Sequence, residues 1–383
     1  VSEPIRIKRV TVREVRRRSD YRGTYTDGSK DPEFMVWLFV SVSDGRETGY
    51  GECVPTSLYY EPGHIGRSNI EEWSALCGMS AKLIGEDARR LGRLVPEDRS
   101  SDDANSIKDT LDFALHDLVG RRLGVPVAAL LGGVNRPAVD LIPVIHVDTP
   151  DGMARLAAEE RRKHGYRFFK LKPIGEPEAD VETLTKMRER MGPEVRYFMD
   201  ANYALKVREP DAVIAYINRL HALGLEAYED PIRADLATYR YIRERARARI
   251  MIDEKARTPE AVLAIIRERA AAMINIHANW AGGFGPALRK AQIAALADMP
   301  CMIGSTWYLG PGSAAYQTLS SVLPLEAPCE QLFNEVHDSS LAVRDPYEVR
   351  DGRSFIPDRP GLGVTPDMGV IERMTVRKTD YGE

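Results

Sequence analysis

The chain has 383 residues, 43% hydrophobic and 29% charged, an ordinary globular balance with more length than one small core needs. A formal charge of −4 leaves no footprint for nucleic acid, since the basic runs at 16–18 and 243–249 have acids close by. Cys53, Cys77, Cys301 and Cys329 show no CxxC spacing, and no apolar run reaches ~18 residues, which argues against a disulfide framework, a structural zinc site or a membrane span. With no opening signal peptide, a cytoplasmic protein without membrane or nucleic-acid partners is expected.

In chain order, "IRIKRVTVREV", "FMVWLFVSVSDG" and "RETGYGECVP" predict a three-stranded meander, and two helices follow at about 70–84 and 104–123. From about residue 140 short apolar runs alternate with amphipathic segments. The runs lie at 141–147, 167–173, 195–201, 226–231, 249–254, 273–278, 300–306 and 327–333. Between them Val213, Ile214, Ile217, Leu220 and Leu223 show helical spacing, with Asp211 expected as N-cap and Gly224 as the stop. Eight strand–helix units predict a (β/α)8 barrel. The chain then returns to strand-like pieces, "YEVRDGRSFIP" and "GVIERMTVRK". The expected fold is therefore α/β, a modified TIM barrel under an α+β capping domain. Residues 1–130 form the cap, 131–340 the catalytic barrel and 341–383 a return that completes the cap.

Chemistry in such barrels sits at the C-terminal strand ends. The run ends carry His146, Lys170 and Lys172, Asp200, Glu229, Asp253 with Glu254, His277, Ser305 with Thr306, and Glu330. The steps from Lys172 to Asp200, Glu229, Asp253 and His277 are 28, 29, 24 and 24 residues, one strand–helix unit each. Asp200, Glu229 and Asp253 make an all-oxygen cluster, which favours Mg²⁺ over zinc and relieves the repulsion of three buried acids. In "FFKLKP" Lys170 and Lys172 share one strand face. Beside a metal that holds a carboxylate, Lys172 is placed to remove an α-proton, while Lys170 tunes it and holds the carboxylate.

The ordered motifs "KLK" (170–172), "DAN" (200–202), "EDP" (229–231), "DE" (253–254) and "GG" (282–283), with "RPGLGVTPD" (359–367), resemble the enolase superfamily over nearly the whole chain. Their order is similar to the mandelate racemase/muconate lactonizing enzyme family, nearer the muconate lactonizing branch. The resemblance implies a capped barrel holding one Mg²⁺ on Asp200, Glu229 and Asp253, with Asn202 and Glu254 toward the substrate. It also implies a symmetric homo-oligomer.

Two positions depart from that branch. Its second lysine, on the sixth strand, is here His277, an acid or base at neutral pH. Its glutamate after the seventh-strand "GS" is missing, with Tyr308 near its place, and the seventh-strand histidine of mandelate racemases is absent as well. Glu330 stands where some relatives contact the substrate carboxylate. Cap loops 19–31 (Tyr21, Arg22, Tyr25) and 55–66 (Tyr59, Tyr60, His64) are expected to join His146, Trp280, Trp307 and Tyr308 around the substrate. Such walls suit a small hydroxylated or cyclic carboxylic acid. The expected activity is dehydration or cycloisomerisation with His277 as acid. The alternative is racemisation or epimerisation of an amino or hydroxy acid. A silent barrel kept for binding and a zinc hydrolase are the outside readings.

Overall fold

The computed structural model describes residues 3–18, 22–55, 70–96, 105–306, 308–325, 328–331 and 342–383. Strands β1 (Arg9–Arg18), β2 (Phe34–Ser43) and β3 (Thr48–Cys53) form the expected meander, and helices α1 (Ile70–Ala81) and α2 (Asn105–Leu123) pack on it. Helix α2 lies directly against β3. A Cβ on Gly51 would fall 2.0 Å from the Thr110 carbonyl oxygen, so "GYG" is the contact surface itself.

The barrel follows as β4 (Ala138–Ile145), α3 (Pro150–His164), β5 (Phe168–Leu171), α4 (Pro177–Met191), β6 (Arg196–Asp200), α5 (Pro210–His221) and β7 (Leu225–Glu229). It continues as α6 (Leu236–Arg245), β8 (Arg249–Ile252), α7 (Pro259–Arg267), β9 (Met273–Ile276), α8 (Phe284–Leu296), β10 (Cys301–Ile303), α9 (Pro311–Val322) and β11 (Cys329–Gln331). All eight strands are parallel, and pairing of Cys329 with Leu141 closes the ring. Five of these helices open on proline (Pro150, Pro177, Pro210, Pro259 and Pro311), where the missing N–H costs no helix bond. Helix α5 buries Val213, Ile214, Tyr216, Ile217 and Leu220, but its N-cap is Glu209 rather than Asp211, because Pro210 takes the first helical position.

Strand parity orders the barrel interior. Ile142, Phe198, Ala227, Met251, Met273 and Met302, with Phe168 at the edge, fill its floor. The larger of the buried ones, Ile142, Phe198, Met251, Met273 and Met302, each favour folding by about 1.5–3 kcal/mol. Two residues further along several of these strands the same inward row becomes polar, at Lys170, Asp200, Glu229, Asp253 and Asn275.

After the barrel, β12 (Glu348–Arg350) and β13 (Arg353–Phe355) form a hairpin that adds antiparallel to β4, extending the barrel sheet. The return to the cap is carried by α10 (Met368–Met374) and β14 (Thr375–Gly382), which pairs with β1. Cap and barrel meet through Val15, Trp37, Phe39, Val54 and Ile371 against Val144 and Leu309. Buried Glu52 accepts backbone N–H bonds from Leu309 (3.0 Å), Gly310 and Gly312 (both 2.8 Å) at the head of α9. The four cysteines are free, and among the described residues no helix is long and apolar enough to cross a membrane.

Candidate active site

At the C-terminal mouth of the barrel the polar ends of the inward rows line a cavity of about 540 Å³. Lys170, on β5, is 1% exposed, and its Nζ lies 2.8 Å from Glu229 Oε2, 3.0 Å from Glu330 Oε2 and 3.3 Å from Asp200 Oδ2. Burial by itself would depress its pKa. The fields of Glu229, Glu330, Asp200 and Asp253 override that and hold it well above the ordinary lysine value. Lys172, one strand period on, donates to Asp200 Oδ2 (2.5 Å) and Asn202 Oδ1 (2.6 Å), and its Nζ lies 5.5 Å from the Tyr25 ring centroid.

The cap builds that last contact. The Val147 N–H donates to the Thr24 carbonyl (2.9 Å) and the Thr26 hydroxyl to the Pro173 carbonyl (2.7 Å), so the loop after β1 is tied to the ends of β4 and β5. Tyr25, whose hydroxyl donates to Asp31 (2.8 Å), stands edge-on to His146 at 5.2 Å.

The acids are buried and crowded. Burial and the neighbouring Asp200 charge raise the Glu229 pKa well above normal; burial and Glu254 do the same for Asp253. Asp200 is buried too, but Lys172 and Lys170 hold its carboxyl below the usual range. Asp230, the second acid of "EDP", accepts the Glu254 N–H (2.8 Å) and the Tyr239 hydroxyl (3.2 Å) and anchors the end of β8 from behind. Asn275 donates to Glu229 Oε1 at 3.0 Å. Sequence reasoning missed Asn275; the signal was its position in the inward row of β9, two residues before His277.

Burial, with Lys170 and Lys290 nearby, lowers the His277 pKa to about 3, leaving a neutral imidazole. Its Nε2 is 3.2 Å from Asp253 Oδ2, its Nδ1 has no hydrogen-bond partner, and Trp280 stacks on it at 4.3 Å. A Cβ on Gly304 would come within 2.0 Å of His277 Nε2, so only glycine lets β10 end this close. Lys290, buried on α8, donates to the carbonyls of Ala256 (3.2 Å) and His277 (3.3 Å), pinning both from outside the cavity.

The structure thus gathers Lys170, Lys172, Asp200, Asn202, Asp253, Glu254, His146, His277 and Glu330 on one cavity, with Glu229 beneath Lys170. Arg22 donates to the Asp31 carbonyl (2.7 Å) and lies on the exposed side of its loop, off the lining. Tyr308 is buried against Tyr316 at 5.0 Å, also off the lining. Tyr21, Tyr59, Tyr60, His64 and Trp307 lie outside the described residues.

Among the described residues no trio of His, Cys, Asp or Glu has its ligand atoms gathered for a metal; the Lys170 ammonium sits between the carboxylates instead. The donor set still fits a hard divalent cation. Asp253 Oδ1 is buried with no hydrogen-bond donor, Glu229 Oε2 meets only the Lys170 ammonium, and the two carboxyls lie close together, an arrangement that calls for more positive charge.

Residues 9–132 match the mandelate racemase/muconate lactonizing enzyme N-terminal domain, and residues 152–370 match the enolase C-terminal domain-like family. Muconate cycloisomerase 1 of Rhodococcus opacus is 27% identical over 346 residues, 88% of this chain and 90% of that protein. An L-Ala-D/L-Glu epimerase of Clostridium acetobutylicum is 32% identical over 268 residues, 69% and 72% of the two chains. A cis-3-hydroxy-L-proline dehydratase of Roseibium aggregatum is 28% identical over 366 residues, 93% and 95%. The crystal structure of the N-succinyl Arg/Lys racemase of Bacillus cereus superposes with a TM-score of 0.84 at 22% identity, covering 98% of this chain and 99% of that one. A dipeptide epimerase of Enterococcus faecalis, complexed with Mg and a dipeptide, gives 0.80 at 23% identity, covering 94% and 99%. At these identities the two structures bear on the fold.

Proposed function

The chain belongs to the mandelate racemase/muconate lactonizing enzyme family of the enolase superfamily, whose members here are lyases and isomerases, and on that footing we propose that it removes the α-proton of a carboxylate substrate with Lys172 in a Mg²⁺-dependent reaction. The observation that carries this reading is Lys172 Nζ held between Asp200 and Asn202, on the cavity wall next to Lys170 and its carboxylates.

Asp200, Glu229 and Asp253 would hold the cation, and when bound it supplies positive charge for a substrate carboxylate whose α-carbon is losing a proton. Lys170 brings a fixed positive charge to the same region, and Glu330 and Glu229 keep its ammonium in place. Asp200 and Asn202 aim the Lys172 nitrogen, which accepts the proton in its neutral form; the Tyr25 ring covers it and limits water. Expulsion of a β-substituent from the resulting enolate makes the enzyme a dehydratase, and ring opening or closure makes it a cycloisomerase. Either suits a hydroxylated or cyclic acid. In both, His277 is the partner group. Strands β5 and β9 lie four apart in the closed ring, so Lys172 and His277 approach the cavity from opposite sides.

The neutral state of His277 favours a second reading. A neutral imidazole with an unpartnered Nδ1 is a proton acceptor, and a second acceptor across from Lys172 makes a racemase or epimerase. Incubation with Mg²⁺ and panels of sugar acids, amino acids and cyclic acids in D₂O, followed by proton NMR, separates the outcomes. A 2-keto-3-deoxy product identifies a dehydratase, and a lactone or opened ring a cycloisomerase. Deuterium at Cα together with the stereoisomer identifies a racemase. No exchange with any acid, with Lys172→Ala behaving identically, overturns the enolisation reading.

A further inference from the structure

Six acids and six lysines or arginines line the cavity, but they are not matched one to one. Lys170 and Lys172 take up the inner carboxylates, Arg257 pairs with Glu254 at 2.9 Å, and Asp31 is bound within the cap loop by the Gly23 N–H and the Tyr25 hydroxyl. Asp27 is held by Ser29 of its own turn. That leaves Lys30, Arg233 and Lys255, from three separate segments, lining the cavity with no hydrogen bond or ion pair from their side chains among the described residues. The carboxylate whose field reaches Lys255, Asp235, is engaged in capping α6 through the Thr238 N–H at 2.8 Å.

Arg233 and its neighbour Tyr203 form a built surface. The Asn202–Tyr203 pair has positive φ (43° and 65°), a left-handed turn that non-glycine residues adopt at a cost. The Tyr203 N–H is fixed on the Asp230 carbonyl (2.8 Å) and its own carbonyl accepts from Arg208 (2.7 Å). That turn puts Asn202 on Lys172 and sets the Tyr203 ring 4.8 Å beneath the Arg233 guanidinium. Tyr203 is 8% exposed, lines the cavity, and its hydroxyl is buried without a hydrogen-bond partner. A buried hydroxyl left unpaired and, over the same ring, a guanidinium without an acid among the described residues are the two halves of an anion site.

We propose that Arg233 on its Tyr203 platform, with Lys255 on the same cavity wall, binds a second carboxylate of the substrate, remote from the one that directs α-proton removal, so that the preferred substrates are diacids. This rests on the enolisation reading, whose reacting carboxylate lies at the Lys170–Lys172 end of the cavity. Arginine suits the role because its planar fork matches a carboxylate in a way that a point charge does not. Arg233 is exposed, so the contact is screened by salt.

The test uses the full chain with Mg²⁺ and calorimetric titration of matched pairs that differ in the distal carboxylate, such as glucarate against gluconate and N-succinylalanine against N-butanoylalanine. The diacid of at least one pair should bind about 10- to 100-fold more tightly, a preference that shrinks as salt rises. Arg233→Gln with Lys255→Gln should reduce the ratio about tenfold and Arg233→Lys should keep part of it, while Arg240→Gln, on the outside of α6, should not change it. Equal binding within every pair, or a preference that survives the double substitution, overturns the proposal. Deuterium exchange on the same pairs separates the two levels. A diacid preference in binding with no exchange by any acid would sink the enolisation reading and leave the anion site standing. Exchange without a diacid preference would do the reverse.

Discussion

The two mouths of the barrel are built from the same strands and the same residue types, yet they do opposite things. At the N-terminal mouth a cavity of about 640 Å³ is lined by Arg167, Arg196 and Arg249 with Asp140 and Glu226. Each arginine finds its acid: Arg167–Asp140 at 2.8 Å, Arg196–Glu226 at 3.2 Å and Arg249–Glu226 at 3.0 Å, with the arginine side chains 47–60% exposed. At the C-terminal mouth Lys170, Asp200 and Glu229 are at most 2% exposed, and Asp200, Glu229 and Glu330 crowd the one Lys170 ammonium. Water dissolves the first set into ordinary surface pairs. Its exclusion makes the second set expensive and polarised, the setting in which the proposed cation would act. The difference lies in burial, and charge composition alone does not reveal it.

The sharpest way to break that contrast is at Lys172. Lys172→Ala should reduce α-proton exchange by about 10²- to 10⁴-fold while the protein stays folded, as followed by NMR exchange and circular dichroism. Next comes the cation. Mg²⁺ at 100 times its Kd should stabilise the wild type by about 2.7 kcal/mol in thermal unfolding. Asp253→Asn should lose that response yet melt above the metal-free wild type, because one of the mutually repelling acids is gone; a metal-free variant that melts lower would contradict the crowding argument.

Glu52 carries the same physics into the seam between cap and barrel. Burial, opposed by its three backbone donors, pushes its pKa from the ordinary 4.5 to about 7. The folded state therefore binds the proton more tightly than the unfolded chain. This contribution is fully present below pH 4.5 and is lost as pH rises through about 7. Glu52→Gln should flatten that part of the stability–pH curve between pH 5 and 8, and Glu52→Ala should flatten it too while costing about 1–3 kcal/mol at low pH by leaving the α9 N–H groups unpaired, a cost that shrinks as pH rises through about 7. The smallest effect belongs to the other mouth: Arg249→Gln should change stability by no more than about 0.5 kcal/mol and leave exchange untouched.

Much of this was readable along the chain. All eight runs became strands within a few residues of their expected ends, since buried parallel strands need continuous apolar stretches and prolines mark the helix starts. Asn275 escaped because an asparagine between two isoleucines reads as any polar interruption until the barrel closes and places it on Glu229. Arg22 and Tyr308 have the right chemistry and adjacent positions, but their loops turn them to Asp31 and Tyr316.

By itself the sequence determined the order of the site, because side-chain parity within a strand is local. Once Phe168 or Phe198 faces the floor, Lys170 or Asp200 must face the mouth two residues on. Tertiary structure alone decided the partners. Lys170 meets Glu330, 160 residues away, because that separation is spanned only when the eighth strand closes on the first. The same closure expels the water that would otherwise have made the encounter an ordinary surface pair.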